Sequence, residues 1–564
     1  MAAWLADCAA RTAWLPLERI AAGKNSPLVW GTEALSADTA NLLNRVHRAT
    51  LAQKRNDVAA DLTRFLQRSP GAEIPFDRAL ETVAWGYLLP AICRSTSGRG
   101  KELLRRLFEL IDAALPVTAS ANVLPQLLLK VELPLLLAWF SPDAKTATSL
   151  RKSAIGAEAR VANAWLDPLG LPTDLTLLRS WAASLVRAQE LFRGSDVHFS
   201  DAARDRLERL ARHVLRLSRP DGGSILGTTA GSTSDREFLT AAVIATCSNA
   251  ALAEAALGKG TADKRPRKGA PAAALYSPKS CLAVLRNRWA APAIQTTLDF
   301  SGNDVWLDVS CGNQPLLHGN WEATIRIDDA PLTPAGPWTE VCWHADADCD
   351  YLEIEQKLSN GWLLQRHLLL VRHDDCLLLA DSLLDQTKRT PEEFLATAAQ
   401  ALRLDYATSL DLPPAVTFAL QTETREGHLQ VGRKPLGLVL PLALPEWRKQ
   451  PTTGELTGSG GQLLHRVQTR GRNLFAPLWI DLNPSRFKGA ECTWRQLTIG
   501  ESLQVQPREV AVGYRVQSRH SQWLLYRSLA WRGNRTVLGK NYATDLACCR
   551  FQPNGETQEI LEVQ

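Results

Sequence analysis

The chain has 564 residues, more than one hydrophobic core can organise, because single cores stop growing at about 250–300 residues. Its apolar share of 45% fits a folded globular protein and excludes wholesale disorder. The net charge of +5 is small, and acids and bases are interspersed, which argues against dedicated nucleic-acid binding. Two large folded domains and no nucleic-acid partner are therefore expected.

The first residues, MAAWLADCAARTAWLPLERI, lack the basic start and the continuous apolar run of a secretory signal. No later segment is expected to supply the roughly 18 apolar residues that cross a bilayer. As written, the sequence predicts a cytoplasmic protein without a membrane span, and export stays open if a signal precedes the recorded start. The eleven scattered cysteines predict buried thiols, not a disulfide scaffold.

From about residue 36 to residue 256 the sequence repeats one theme, an amphipathic helix followed by a short polar break. In 200–217 (SDAARDRLERLARHVLRL), Ser200 can cap a helix whose apolar residues fall on one face. Related patterns occupy 37–66, 76–94, 101–115, 123–140, 150–166, 175–192 and 235–257. They predict eight or nine helices stacked as hairpins.

The sequence pattern changes after a basic run, KGTADKRPRK at 259–268. Gly, Pro and Ala flank this run, which predicts a solvated linker over 257–275, with a contact to a polyanion as the alternative. From residue 276 onward, short alternating runs separated by turn residues predict antiparallel sheets. Helices first and strands second predict segregated domains, not a doubly wound sheet.

Besides the order of helices and strands, three stretches of sequence are informative. They are VELPLLLAWFSP at 131–142, LSRPDGG at 217–223, and 343–381, which contains DYLE and ends on Ala-Asp. The layout resembles the heparinase II/III family of polysaccharide lyases. The resemblance implies an incomplete α/α toroid over 1–256 and an antiparallel β-sandwich over 276–564. It also implies cleavage of an acidic, uronic-acid polysaccharide or oligosaccharide by β-elimination, with no required cofactor. The alternative on the same fold is a catalytically silent carbohydrate-binding or scaffolding protein.

Such an elimination needs a base, an acid for the leaving oxygen and a partner for the uronate carboxylate. Tyr87 and Arg94 lie seven residues apart on one predicted helix, so that Tyr87 would be base or acid and Arg94 the carboxylate partner. The alternative is a core-edge tyrosine beside a snorkelling arginine. His198 precedes a helix start, where loops often carry function, or else it assists the Ser200 cap.

Two further positions are candidates for contact with substrate. Asp221, in the Pro-Asp-Gly-Gly turn, and Arg236 are predicted ligand contacts, although a helix-ending turn alone explains the motif. His318 lies in LHGNW, the region where the family carries its His-x-His-x-Asp motif, and is a predicted catalytic residue. Trp321 would offer an apolar plate for a sugar, or form a turn with a half-buried tryptophan.

An alternation of acidic residues follows His344, with Asp346, Asp348 and Asp350 at every second position. In a strand these side chains would share one face, where oxygen ligands could gather a divalent cation. Tyr351 stands where a calcium loop requires glycine, so that type of loop is excluded. His344 and Asp346 are the predicted metal ligands, with a solvated strand face as the alternative.

Overall fold

The computed structural model forms two compact units, Met1–Ala262 and Asp263–Gln564. The boundary between them falls inside the predicted linker, whose basic run lies outside the described residues. The structure describes residues 25–32, 35–52, 59–67, 74–95, 123–141, 144–193, 195–227, 231–246, 256–258, 271–387, 401–487, 492–552 and 556–564, with the single residues 17, 20, 102, 105, 106, 109, 110, 394 and 554.

The regular secondary structure of the first unit is helical in its described ranges, with two isolated β-bridges, Leu166–Pro172 and Ser218–Ser224. Its helices are α1 (Ala37–Leu51), α2 (Ala59–Gln67), α3 (Phe76–Ser95), α4 (Val123–Phe140), α5 (Ala144–Trp165), α6 (Leu178–Leu191), α7 (Asp201–Arg216) and α8 (Thr233–Thr246). Short 3-10 turns at Pro27–Val29 and Leu175–Leu177 precede α1 and α6. The helix predicted over 101–115 falls mostly on residues that the structure does not describe.

Helix α7 shows how the sequence sets these elements. The Ser200 hydroxyl accepts a hydrogen bond from the Ala203 N–H at 3.2 Å, which satisfies one of the free donors at the helix start. Leu207, Leu210 and Val214 fall on the buried face, at the spacing that brings one side of a helix to the core. The predicted cap and buried face are confirmed.

Helix α4 is the most apolar helix of the unit and contains a π-helical segment, Leu128–Glu132. Among the described helices it alone is long and apolar enough to cross a membrane, with a mean hydropathy of 1.6 over Val123–Phe140. The expectation that no segment reaches this length was wrong. In the structure 83% of the window is buried inside the protein, as in the core helix of a helical unit.

The second unit consists mainly of antiparallel strands. They are β1 (Leu275–Ser277), β2 (Leu282–Arg286), β3 (Ile294–Asp299), β4 (Trp306–Cys311), β5 (Gln314–Ile327), β6 (Ala330–Pro331), β7 (Pro334–Ala345), β8 (Cys349–Leu358), β9 (Trp362–Val371), β10 (Cys376–Asp385), β11 (Leu402–Asp411), β12 (Val416–Leu420) and β13 (Gly427–Val431). The rest are β14 (Lys434–Pro441), β15 (Glu455–Ser459), β16 (Gln462–Gly471), β17 (Asn473–Asp481), β18 (Cys492–Leu497), β19 (Gly500–Glu501), β20 (Gln504–Val505), β21 (Ala511–Ser518), β22 (Ser521–Ser528), β23 (Arg535–Val537), β24 (Lys540–Tyr542), β25 (Leu546–Phe551) and β26 (Thr557–Val563), with a short helix α9 (Pro484–Phe487).

These strands form four sheets. The first has the order β1-β2-β3-β4-β5-β11-β16-β15, with β6 beside β5, and the second has the order β12-β13-β14-β17-β10-β9-β8-β7. The third has the order β18-β21-β22-β25-β26, and the fourth β20-β19-β23-β24. The predicted antiparallel architecture after residue 276 is confirmed.

The four sheets are stacked in layers. One apolar core joins the first sheet to the second, another joins the second to the third, and a smaller one joins the third to the fourth. Every residue of β9, β10 and β17 is buried, because the second sheet is covered on both faces. The single sandwich expected over 276–564 is therefore extended by two further sheets.

Candidate functional site

A histidine–carboxylate pair lies on two neighbouring strands of the first sheet. His318 on β5 is the register partner of Asp308 on β4, and its Nδ1 lies 2.9 Å from the Asp308 Oδ2. Asp308 is fully buried and also accepts a hydrogen bond from the Ser310 hydroxyl. The Trp306 ring meets the imidazole edge-on, with ring centroids 5.2 Å apart. A carboxylate and an indole therefore fix the orientation of the His318 ring.

The other ring nitrogen of His318 is available for chemistry. The side chain is 15% exposed, and its Nε2 forms no hydrogen bond with any described residue. An aspartate on one imidazole nitrogen sets the tautomer and stabilises the imidazolium that forms when the other nitrogen takes a proton. The pair can therefore act as a general base. Asp308 and Trp306 were not among the residues predicted from the sequence.

The backbone beside His318 makes close contact with a second carboxylate. Gly319 has a φ of +145°, and a Cβ there would lie 2.3 Å from the Asp411 Oδ2. The Asn320 N–H donates to that oxygen at 2.9 Å, and the Gln462 amide donates to the other at 2.9 Å. Only glycine fits this approach, so Gly319 and Asp411 fix the course of β5 next to the histidine.

Trp321 is a core residue, and the prediction that it offers an exposed plate for a sugar was wrong. It is 3% exposed, and its Nε1–H donates to the Thr408 hydroxyl at 3.1 Å. The Arg366 guanidinium stacks on its ring at 4.5 Å, forms an ion pair with Asp381 at 3.2 Å and also faces Trp338. Three positions from His318 on the same strand, Trp321 points to the opposite face, into the core shared by the first two sheets.

Tyr87 is fully buried in α3, so in this structure it has no access to a substrate as a base or acid, and the alternative of a core tyrosine describes it better. Burial raises the pKa of its phenol well above the usual value, and the nearby Glu132 raises it further, while Arg187 opposes the shift. A phenol in this setting keeps its proton. Arg94 lies in the last turns of the same helix, and its side chain is outside the described part of the chain.

The other helical candidates lie in loops and at a helix start. His198 is exposed in the segment between α6 and α7, close to the Ser200 cap. The Asp221 carboxylate accepts the Gly223 N–H at 2.9 Å and the Gly231 N–H at 3.1 Å. Arg236, which is exposed at the start of α8, donates to the Asp221 carbonyl at 2.9 Å. These two residues are thus brought together, in contacts that shape the turn.

The predicted metal ligands meet at the turn between β7 and β8. His344 Nε2 lies 3.1 Å from Asp346 Oδ2, and with the Cys349 sulfur these ligand atoms lie within 4.8 Å of one another. The Asp346 carboxylate also accepts the N–H groups of Asp348 and Cys349. Burial raises the pKa of the Cys349 thiol, which donates to the Ile560 carbonyl at 3.3 Å. The group is therefore a histidine and an aspartate beside a protonated thiol.

The prediction that the side chains of His344, Asp346, Asp348 and Asp350 share one face of a strand was wrong. Strand β7 ends at Ala345 and β8 begins at Cys349, so the intervening residues form a turn. Asp350 is buried, accepts the Arg286 N–H at 2.9 Å and pairs with Arg372. Burial raises its pKa to about 6, against the lowering effect of Arg372.

A helical unit followed by stacked antiparallel sheets is a fold found in polysaccharide lyases. No family model and no curated protein matches the chain. A solved heparinase III superposes with a TM-score of 0.57 at 12% identity, over 88% of this chain and 86% of that one. The heparan sulfate lyase HepC from Pedobacter heparinus superposes with a TM-score of 0.54 at 10% identity, over 89% of this chain and 84% of that one. These similarities establish the lyase fold over most of the chain.

Proposed function

We propose that the chain is a polysaccharide lyase with an incomplete α/α toroid, acting on an anionic, uronic-acid polysaccharide or oligosaccharide with His318 as the base. The observation that carries the proposal is the Asp308–His318 pair, whose second ring nitrogen forms no hydrogen bond with a described residue. It is supported by the fold that the chain shares with solved structures of a heparinase III and a heparan sulfate lyase.

The chemistry is a proton abstraction followed by loss of a sugar oxygen. His318 Nε2 would take the proton from C5 of the uronate, while Asp308 holds Nδ1 and stabilises the imidazolium. The electron pair of the C5–H bond forms the C4–C5 double bond as the C4–O bond breaks, and an acid protonates the leaving oxygen. His198, Arg94, Asp221 and Arg236 remain the predicted residues for the acid and the carboxylate contacts.

The test is ultraviolet absorbance during incubation with a panel of acidic polysaccharides, because the product contains a double bond conjugated to the carboxylate. His318→Ala should lose the signal, and Asp308→Asn should lower the rate by about 10²–10⁴-fold. His373→Ala is the matched control, since His373 is 67% exposed on the hairpin between β9 and β10. Turnover by His318→Ala at the wild-type rate would remove the base assignment.

A second function is binding of acidic glycans without cleavage. The observation that favours it is the burial of Tyr87 and Trp321, which leaves two of the predicted catalytic and stacking residues without access to a substrate in this structure. A flat absorbance trace across the panel, with glycan binding by calorimetry, would establish this function in place of the first.

A further inference from the structure

A cavity of about 450 Å³ lies within the sheet unit, and neither Asp308 nor His318 lines it. It is lined by residues of β16, β17, β18 and β21, by residues of the segment 442–452 that follows β14, and by Arg508 and Glu509 just before β21. Its volume falls in the range of sites that bind small molecules, roughly 300–1,000 Å³. The elimination proposed above makes no use of it.

The inner wall of this cavity is apolar and firmly held. Leu444, Phe475, Trp494 and Tyr514 line it and are each no more than 3% exposed. The Trp494 Nε1–H donates to the Leu444 carbonyl at 2.8 Å, which ties β18 to the segment after β14. These buried side chains fix the shape of the cavity in advance of any ligand, and contact with a ligand falls to the exposed residues of the lining.

The rim of the cavity is basic. Arg470 and Arg508 line it and are exposed, and neither side chain forms a hydrogen bond or an ion pair with any residue that the structure describes. The charge of Arg508 reaches the wall, since it opposes the rise in the pKa of Tyr514 that burial causes. Two arginines therefore line the same space, and neither forms an ion pair with a described residue.

The acidic residues at the cavity are already engaged. Glu446 is buried and pairs with Arg495 at 3.3 Å. The Glu509 carboxylate accepts the Arg472 N–H at 2.6 Å. The charged residues of the lining are three arginines, Arg470, Arg495 and Arg508, and two glutamates, Glu446 and Glu509, which leaves a net charge of +1. Guanidinium groups pair well with carboxylates, so this balance favours an anionic ligand.

We propose that this cavity binds one acidic sugar residue. The carboxylate would pair with Arg470 and Arg508, two exposed arginines that line the cavity. Gln496 and Thr469, which also line the cavity, supply polar groups for the hydroxyls. The site goes beyond the proposed lyase reaction, because binding there requires no turnover.

Calorimetric titration of the full chain with glucuronate, glucose and inorganic sulfate tests the proposal. Glucuronate should bind, and more tightly than either the neutral sugar or the simple anion. The double variant Arg470→Ala/Arg508→Ala should weaken glucuronate binding about tenfold or more, because it removes two charge-assisted contacts. Arg466→Ala is the matched control, since Arg466 is exposed on the same strand but pairs with Glu455 at 3.3 Å.

Glucuronate binding that is unchanged in the double variant, or no stronger than that of glucose or sulfate, would overturn the proposal. Absence of measurable glucuronate binding would overturn it equally. Repeating the titration in His318→Ala separates this site from the lyase assignment: binding there should persist whether or not the wild-type chain cleaves a polysaccharide. Both arginines are exposed, and circular dichroism would verify that the variants are folded.

Discussion

Arg187 and Glu132 form a two-pronged ion pair in the interior of the helical unit, with Nε to Oε1 at 2.8 Å and Nη2 to Oε2 at 3.0 Å. Both side chains are almost completely buried. The Ser184 hydroxyl donates to Glu132 at 3.1 Å, and the remaining Arg187 nitrogen donates to the Pro27 carbonyl at 2.8 Å. The pair thus joins α4, α6 and the segment before α1. Each of these four hydrogen bonds involves a charged side chain that is shielded from water.

Replacing one residue of this pair should lower the free energy of unfolding far more than replacing one residue of an exposed ion pair. Glu132→Gln should lower the free energy of unfolding by about 3–5 kcal/mol, because Arg187 is left buried without a counter-charge. The loss should be smaller in Glu132→Met/Arg187→Met, which removes both charges. Urea unfolding measures these values, with Arg204→Ala as the exposed control, since Arg204 pairs with Asp201 on the surface of α7. A loss below about 1 kcal/mol for Glu132→Gln would show that the interior pair contributes little.

Tyr87 lies near this pair, and Tyr87→Phe separates a structural role from a catalytic one. Since the phenol is buried and keeps its proton, the free energy of unfolding of the variant should lie within about 1 kcal/mol of the wild-type value. The variant should also retain its turnover. The measurement is absorbance with the same polysaccharide panel. Loss of product in a fully folded Tyr87→Phe protein would instead support the catalytic role predicted from the sequence, and would require the phenol to reach the substrate in another conformation.

Local patterns predicted much of the architecture. The Ser200 cap and the apolar spacing of α7 depend on neighbouring residues alone, and the structure reproduces them. The change from helical to alternating patterns after residue 276 likewise follows from local sequence. The ion pair at Glu132 could not be predicted, because its partner Arg187 lies 55 residues further along the chain. The π-helical segment of α4 was not predicted either.

The candidate site depends on strand register, which the sequence leaves open. The Gly312-Asn313 turn indicates the β4–β5 hairpin, but a bulge between Val309 and Ser310 shifts the pairing so that Asp308 faces His318. Without that shift a different residue would face the histidine. A one-residue change of register also exchanges the two faces of a strand. For this reason the polar face that carries His318 could not be distinguished from the core face that carries Trp321.

The turn between β7 and β8 makes a specific prediction about metal binding. We propose that His344 and Asp346 bind Zn²⁺, because an imidazole nitrogen and a carboxylate oxygen lie 3.1 Å apart on an exposed turn. Calorimetric titration with Zn²⁺ should show binding in the wild type that is lost in His344→Ala and Asp346→Asn. Cys349→Ser, which replaces the third nearby ligand atom, measures whether the sulfur takes part in binding. No heat of binding in the wild type, or equal binding in His344→Ala, would exclude this site.

His465 should contribute to acid sensitivity of the sheet unit. It lies on β16 between Leu463 and Val467, which face the core of the first two sheets, and neither ring nitrogen has a hydrogen-bond partner among the described residues. Burial lowers its pKa from 6.5 to about 3. The unfolded chain therefore binds the proton more readily, so the stability associated with neutral His465 is fully present above pH 6.5 and is lost as the pH falls toward 3.

His465→Leu should remove this part of the pH dependence. At neutral pH the variant should be as stable as the wild type or more stable, because it removes a buried polar ring whose nitrogens have no hydrogen-bond partner among the described residues. Between pH 7 and pH 5 it should lose about 2 kcal/mol less free energy of unfolding than the wild type. Urea unfolding at the two pH values measures the difference, with His373→Leu as the exposed control. His47 and His213, whose pKa values burial lowers to about 4, keep their share of the acid sensitivity in both proteins. Equal losses in His465→Leu and the wild type would show that the ring finds a partner or water in solution.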